Sequence, residues 1–120
     1  MLQSNAINVL LLTDRLRDCA YRLKEYLKDN KDFSADVADD FADAQSIIKE
    51  KNIDFLIIVG YLKDRSNYEI LKDIGDDTKV IIYESYTLYI DRLRDKYGIK
   101  YEFDKHRPTS ELVLHIQSLY

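Results

Sequence analysis

Residues 54–64 read DFLIIVGYLKD. From Phe55 to Val59 the apolar side chains follow one another without the alternation of a half-exposed strand. Such a run fits a short strand covered on both faces, as in a parallel sheet flanked by helices. In an open α/β sheet the carboxyl end of a central strand is where ligands and chemistry gather. Here that end carries Val59 and Gly60, neither with a reactive group.

Working outward, INVLLL (7–12) and KVIIY (79–83) have the same character and give two more central strands. FSADVA (33–38) is mixed and suits an edge. IKYEF (99–103) alternates, with Tyr101 and Phe103 on one side and Glu102 on the other. The intervening segments have helical periodicity. DRLRDCAYRLKEYLKD places Leu16, Cys19, Ala20, Leu23 and Leu27 on one stripe, with Asp14 as its expected cap. DAQSIIKEK groups Ala44, Ile47 and Ile48. NYEILKDIG and SYTLYIDRLRDKYG are expected to end at C-cap glycines, Gly75 and Gly98. TSELVLHIQSL opens after Pro108, with Thr109 or Ser110 as start signals, and carries Leu112, Ile116 and Leu119 on a stripe. The pattern is (βα)5. Short connections and right-handed crossovers then imply a doubly wound parallel sheet of flavodoxin-like order 2-1-3-4-5, one domain over residues 1–120. Its switch point falls near Thr13, Asp14 and Val59.

The 18 basic and 22 acidic residues give a net charge of −4, so no general attraction to nucleic acid is expected. DRLRDK interleaves its charges and fits a solvated helix face. Cys19 is alone, which excludes an intramolecular disulfide or a cysteine metal cluster and suits a reducing compartment. MLQSNAINVLLLTD lacks a basic leader region and a cleavage site, and no apolar run approaches the ~20 residues of a membrane span. A cytoplasmic protein without membrane association is expected. Asp36, Asp39, Asp40 and Asp43 cluster near the second helix; they fit helix-dipole complement and solubility better than a divalent-ion site, since only Asp39 and Asp43 share a face. His106 and His115 are not spaced as a metal pair and read as surface or packing residues.

Three segments together resemble the receiver domains of two-component response regulators, over essentially the whole chain. ADDFADAQSIIKEKNIDFLIIV is similar to the family's second helix and third strand, A-D-N-G-E-E-A-L-E-L-L followed by P-D-L-V-L-L-D, with Ala38, Asp39, Ala44, Ile47, Ile48 and Asp54 in register. SNYEILKDI resembles D-G-L-E-L-L-K through Glu69, Leu71 and Lys72. KHRPTSEL resembles K-P-F-D-P-E-E-L through Lys105, Glu111 and Leu112. The resemblance implies phosphoryl transfer to an aspartate ending strand three, with Mg²⁺ on acids after strand one, a hydroxyl after strand four and a lysine after strand five.

Against that pattern the acceptor position holds Val59, which can neither attack phosphorus nor ligate a hard cation. The acid pair is reduced to Thr13 and Asp14. The hydroxyl position falls on Glu84, with Ser85 beside it. Lys105 alone keeps its type, and His106 follows it in place of proline. The switch aromatic, three residues before the lysine, is Glu102; a one-residue bulge would substitute Tyr101. The expectation is a pseudo-receiver without catalysis, cofactor or strong metal affinity, its degenerate pocket formed by Thr13, Asp14, Val59, Glu84 and Lys105. Lys105 is either a solvated remnant or the partner of Glu84 or Asp14, an anion in place of the phosphoryl group.

The chain has ten tyrosines. Tyr86, Tyr89, Ile90, Leu93 and Tyr97 recur at helical spacing, by default for core packing, but tyrosine is also enriched at protein contacts. Receivers commonly associate through their fourth helix, fifth strand and fifth helix. The resemblance therefore implies a homodimer or protein-partner face near Tyr86, Tyr89, Arg92, Tyr101 and Leu114, and possible attachment to an output domain in a longer chain. Two competing readings stay open. A phosphorelay receiver could use a displaced acceptor such as Asp14, Asp54 or Asp64. A flavodoxin-like cofactor binder would need a Gly/Ser/Thr-rich loop after strand one, where TDRLRD supplies one threonine and bulky charges.

Overall fold

The three nearly continuous apolar runs form the middle of the sheet in the computed structural model, which describes residues 6–85 and 87–120. In chain order the elements are β1 (Ile7–Leu12), α1 (Arg17–Lys28), β2 (Phe33–Ala38), α2 (Phe41–Glu50), β3 (Phe55–Val59), a 3-10 helix (Arg65–Lys72), β4 (Lys79–Tyr83), α3 (Leu88–Tyr97), β5 (Tyr101–Phe103) and α4 (Thr109–Leu119). The strands are parallel in the order β2-β1-β3-β4-β5, the flavodoxin-like arrangement. Because the third helical segment is 3-10, α3 and α4 are the fourth and fifth helical segments of the sequence.

Alternation along the buried strands splits the core in two. Val9, Leu11, Phe55, Ile57, Val59, Ile81 and Tyr83 face α1 and α4, packing on Ala20, Leu23, Leu27, Leu112 and Ile116. Leu10, Leu12, Leu56, Ile58 and Ile82 face α2, the 3-10 helix and α3, against Ala44, Tyr68, Ile70, Ile90 and Leu93. Both faces being dry explains why the central strands show no polar alternation.

Local expectations fail at four places, each for a polar reason. Asp14 does not cap α1, which begins after Leu16 without a side-chain cap bond; Thr13 Oγ1 accepts from the Leu16 amide at 2.9 Å instead. The segment after β3 is 3-10. Asp64 accepts from Ser66 N at 2.9 Å and Asn67 N bonds the Asp64 carbonyl at 3.0 Å, and the period-three burial of Asn67 and Ile70 fits that tighter winding. It ends at Asp73, so Gly75 is not its cap. Finally, β5 spans only Tyr101–Phe103. The amides of Gly98, at φ +68°, and of Ile99 both bond the Arg94 carbonyl, closing α3 before a strand can start. The β5 register runs unbroken, Tyr101 opposite Ile81 and Glu102 opposite Ile82. There is no bulge, and Glu102 keeps the position of the switch aromatic.

Among the described residues no helix is long and apolar enough to cross a membrane.

Candidate functional site

At the carboxyl ends of β1, β3, β4 and β5 lie Thr13, Val59, Glu84 and Lys105. Thr13 and Val59 are fully buried. Val59 points into the α1/α4 face of the core, so the end of β3 offers hydrocarbon. Gly60 then turns the chain at φ +76° and donates to the Tyr83 carbonyl at 2.9 Å. A Cβ on Gly60 would lie 2.5 Å from Leu16 Cδ1. The Leu16 side chain, just before α1, thus packs directly on the strand end, and the positive φ is what favours glycine there.

Glu84 leaves β4 with its amide on the Phe103 carbonyl at 3.1 Å. Its side chain is only 5% exposed and is the sole carboxylate among the buried polar groups of the described residues. One oxygen, Oε1, lies 2.6 Å from Lys105 Nζ and accepts from Ser85 N at 2.8 Å. The other, Oε2, lies 3.5 Å from Arg15 Nη2. Arg15 is itself positioned by Nε, which donates to the Tyr61 carbonyl at 3.0 Å. Removing an ion from water is tolerated only when charge and hydrogen bonds replace the lost hydration; two cations and a backbone amide do so here. The neighbouring hydroxyl, Ser85, is taken by His106 Nδ1 at 2.9 Å.

Asp14 faces elsewhere. Its two oxygens accept from the amides of Lys63 and Asp64, both at 2.8 Å, and from Asn67 Nδ2 at 3.1 Å. Asn67 Oδ1 in turn accepts from Phe41 N at 2.9 Å. The retained acid therefore fastens the loop after β3 to the start of α2, and of the two acids considered opposite Lys105 only Glu84 is there. These residues do not fit the magnesium site that the resemblance implies: Asp14 is committed to amides, Thr13 is buried, and Val59 has no donor atom. Among the described residues no three His, Cys, Asp or Glu side chains gather as metal ligands. The acids near α2 are used separately. Asp40 caps the helix through Asp43 N, Asp36 pairs with Lys51 at 2.8 Å, and Asp39 lies 3.6 Å from Arg17.

The other aspartates named as displaced acceptors are also engaged. Asp54 lies at the opposite end of the sheet, accepting from Asn8 N at 2.8 Å. Asp64 accepts from both Ser66 N and Ser66 Oγ, which hold its carboxyl below the usual range. Cys19 is half-buried, and desolvation pushes its thiol up, away from the reactive thiolate.

The residues read as one contact face separate onto two sides of α3. Arg94 bonds Asp91 and, at 3.0 Å, Glu102 of β5, so positions 91 and 94 mark the side toward β5. At ~100° per residue, Tyr89 and Arg92 lie on the other flank, beside the 3-10 helix, where a cavity is lined by both. Tyr101 is half-buried and Leu114 is 64% exposed, with Leu88 at 71%. Tyr86 lies outside the described residues. Arg15 and Asn67 were missed in the sequence, where each reads as an ordinary polar residue; only the fold places them on Glu84 and Asp14.

No protein-family model matches the chain, and no curated protein matches it. Solved structures do. The chemotaxis protein CheY4 of Vibrio cholerae aligns over 96% of this chain and 99% of its own, with a TM-score of 0.78 and 15% identity. The response regulator TrrA of Thermotoga maritima, in complex with Mg²⁺ and BeF, aligns over 95% and 99%, at 0.75 and 21%. The structure of the CheA3 P1 domain with CheY6 from R. sphaeroides aligns over 96% and 97%, at 0.76 and 16%. The structural neighbours are thus CheY-like receiver domains, and the chain has their fold.

Proposed function

We propose that the chain is a pseudo-receiver of a two-component-type regulator, acting in signal transduction or transcriptional regulation through phosphorylation-independent protein contacts. The observation that carries this reading is Glu84, a carboxylate 5% exposed and 2.6 Å from Lys105, beside a strand end closed by Val59. In receivers the corresponding lysine neutralises a transferred phosphoryl group; here a carboxylate of the chain itself faces it. In this reading the domain performs no catalysis, and its output is a surface. Contacts run through α3, β5 and α4 around Tyr101 and Leu114, to a second copy or another protein, with an output domain as a further possible partner in a longer chain. The test is incubation with a small phosphodonor and Mg²⁺ followed by intact mass. The expected result is an unchanged mass; gain of one phosphate at any aspartate overturns the reading.

A further inference from the structure

The flank of α3 that faces away from β5 forms, with the 3-10 helix, a cavity of about 260 Å³ lined by Arg65, Tyr68, Tyr89, Arg92, Lys96 and Tyr97. Its inner wall is aromatic: Tyr68 and Tyr97 stack at 5.4 Å, and Tyr89 meets Tyr61 at 4.6 Å. The wall is also rigid, since Tyr68 is almost fully buried and its hydroxyl accepts from Leu62 N at 3.1 Å. Arg65, Arg92 and Lys96 are exposed around it. None of the three has a carboxylate within salt-bridge distance among the described residues, whereas Arg15, Arg17, Arg94 and Arg107 are all paired. Three nearby acids bond other groups, Asp64 to Ser66, Glu69 to Lys72 at 2.8 Å and Asp91 to Arg94, while Asp95 is exposed on α3 between Arg92 and Lys96.

We infer that this cleft is a docking site for an acidic peptide segment of a partner protein, with one apolar or aromatic side chain seated on the tyrosines and flanking carboxylates on Arg65, Arg92 and Lys96. Charge complementarity supports that occupant. The molecule is net negative, and against that background this cleft presents three cations together. Size supports it as well, since about 260 Å³ is below the ~300–1,000 Å³ of sites that engulf a small molecule and suits a single side chain. Tyrosine and arginine are the residue types that anchor such contacts. The inference rests on the proposed role as a contact module, and it assigns Tyr89 and Arg92 to this cleft, apart from the β5 side.

The probe is a fluorescein-labelled ten-residue peptide of glutamates and aspartates around a central phenylalanine, titrated by anisotropy and by amide chemical-shift mapping. Controls are the same peptide with glutamines and asparagines for the acids, and inorganic phosphate. The expected result is shifts centred on Arg65, Tyr89, Arg92 and Lys96, with affinity at least tenfold weaker in Arg65→Gln/Arg92→Gln and unchanged in Leu114→Asp. Unfolding curves of both variants, each changed only at exposed positions, establish that they fold. Equal binding of the amide peptide, equal shifts from phosphate, or undiminished affinity of Arg65→Gln/Arg92→Gln overturns the proposal. A phosphate gain in the mass experiment would instead sink the pseudo-receiver reading and leave this titration standing.

Discussion

Replacing Lys105 by methionine keeps most of the stem's volume and removes one of the two cations on Glu84. The gross attraction at 2.6 Å is about 6 kcal/mol at an effective dielectric of ~20. Desolvation of the pair offsets much of it. Lys105 is 34% exposed, so solvent screens its charge further, and Arg15 at 3.5 Å continues to hold Oε2. A net loss of about 2 kcal/mol is expected in urea unfolding, or about 6–10 °C in melting temperature for a domain of this size. Packing loss alone would give a similar single number, so the cycle decides. Glu84→Gln is measured alone and together with Lys105→Met, and a coupling energy of at least ~1 kcal/mol is expected. Additive losses, with coupling below ~0.5 kcal/mol, would show that the contact does not hold the pocket and would refute the assignment of Glu84 as the resident anion.

Three other outcomes follow from neighbouring geometry. Val59→Asp puts a carboxylate into the α1/α4 face of the core and is expected to cost ~3 kcal/mol or more in urea unfolding without conferring phosphate uptake by intact mass; a cost below ~1 kcal/mol would contradict the packing. Asp14→Asn weakens bonds to the Lys63 and Asp64 amides, so about 1–2 kcal/mol and faster hydrogen exchange at those two amides are expected. Among the described residues His115 Nε2 is buried without a partner, in a residue that is half-buried as a whole. Desolvation first, then Arg107, lowers its pKa in the fold. The unfolded chain therefore binds the proton more readily, and stability is full above pH ~6.5 and falls as pH drops through the folded value. His115→Gln should flatten that limb of a stability-versus-pH profile measured from pH 7.5 to 5.

The strands and their order were legible because two-sided burial leaves a nearly continuous apolar run, complete in FLIIV and interrupted only by Asn8 in INVLLL and by the opening Lys79 in KVIIY. Helix ends were less legible, because they depend on where single polar side chains find partners across the fold. Asp14 looks like a cap in sequence, yet its acceptors serve a loop about fifty residues later. The 3-10 winding of Arg65–Lys72 was hidden for a related reason, since Asn67 reaches both Asp14 and Phe41 N. At the site, the resemblance placed an acid at Glu84 and a lysine at 105 but left Lys105 open between a solvated remnant, Asp14 and Glu84; the fold selects Glu84. Arg15 could not be read from position, because an arginine opening an amphipathic helix ordinarily reads as solvated. The helical stripe Tyr89, Ile90, Leu93, Tyr97 located α3 correctly, but sequence spacing does not say which neighbour each flank meets.

The pairing of Glu84 with Lys105 has a temporal consequence. An acyl phosphate is a transient adduct, so a receiver that uses one has a built-in clock set by hydrolysis. A carboxylate belonging to the backbone's own residue cannot be added or cleaved. Any output that depends on it persists as long as the polypeptide stays folded, and regulation would then have to act through synthesis, degradation or the supply of whatever binds.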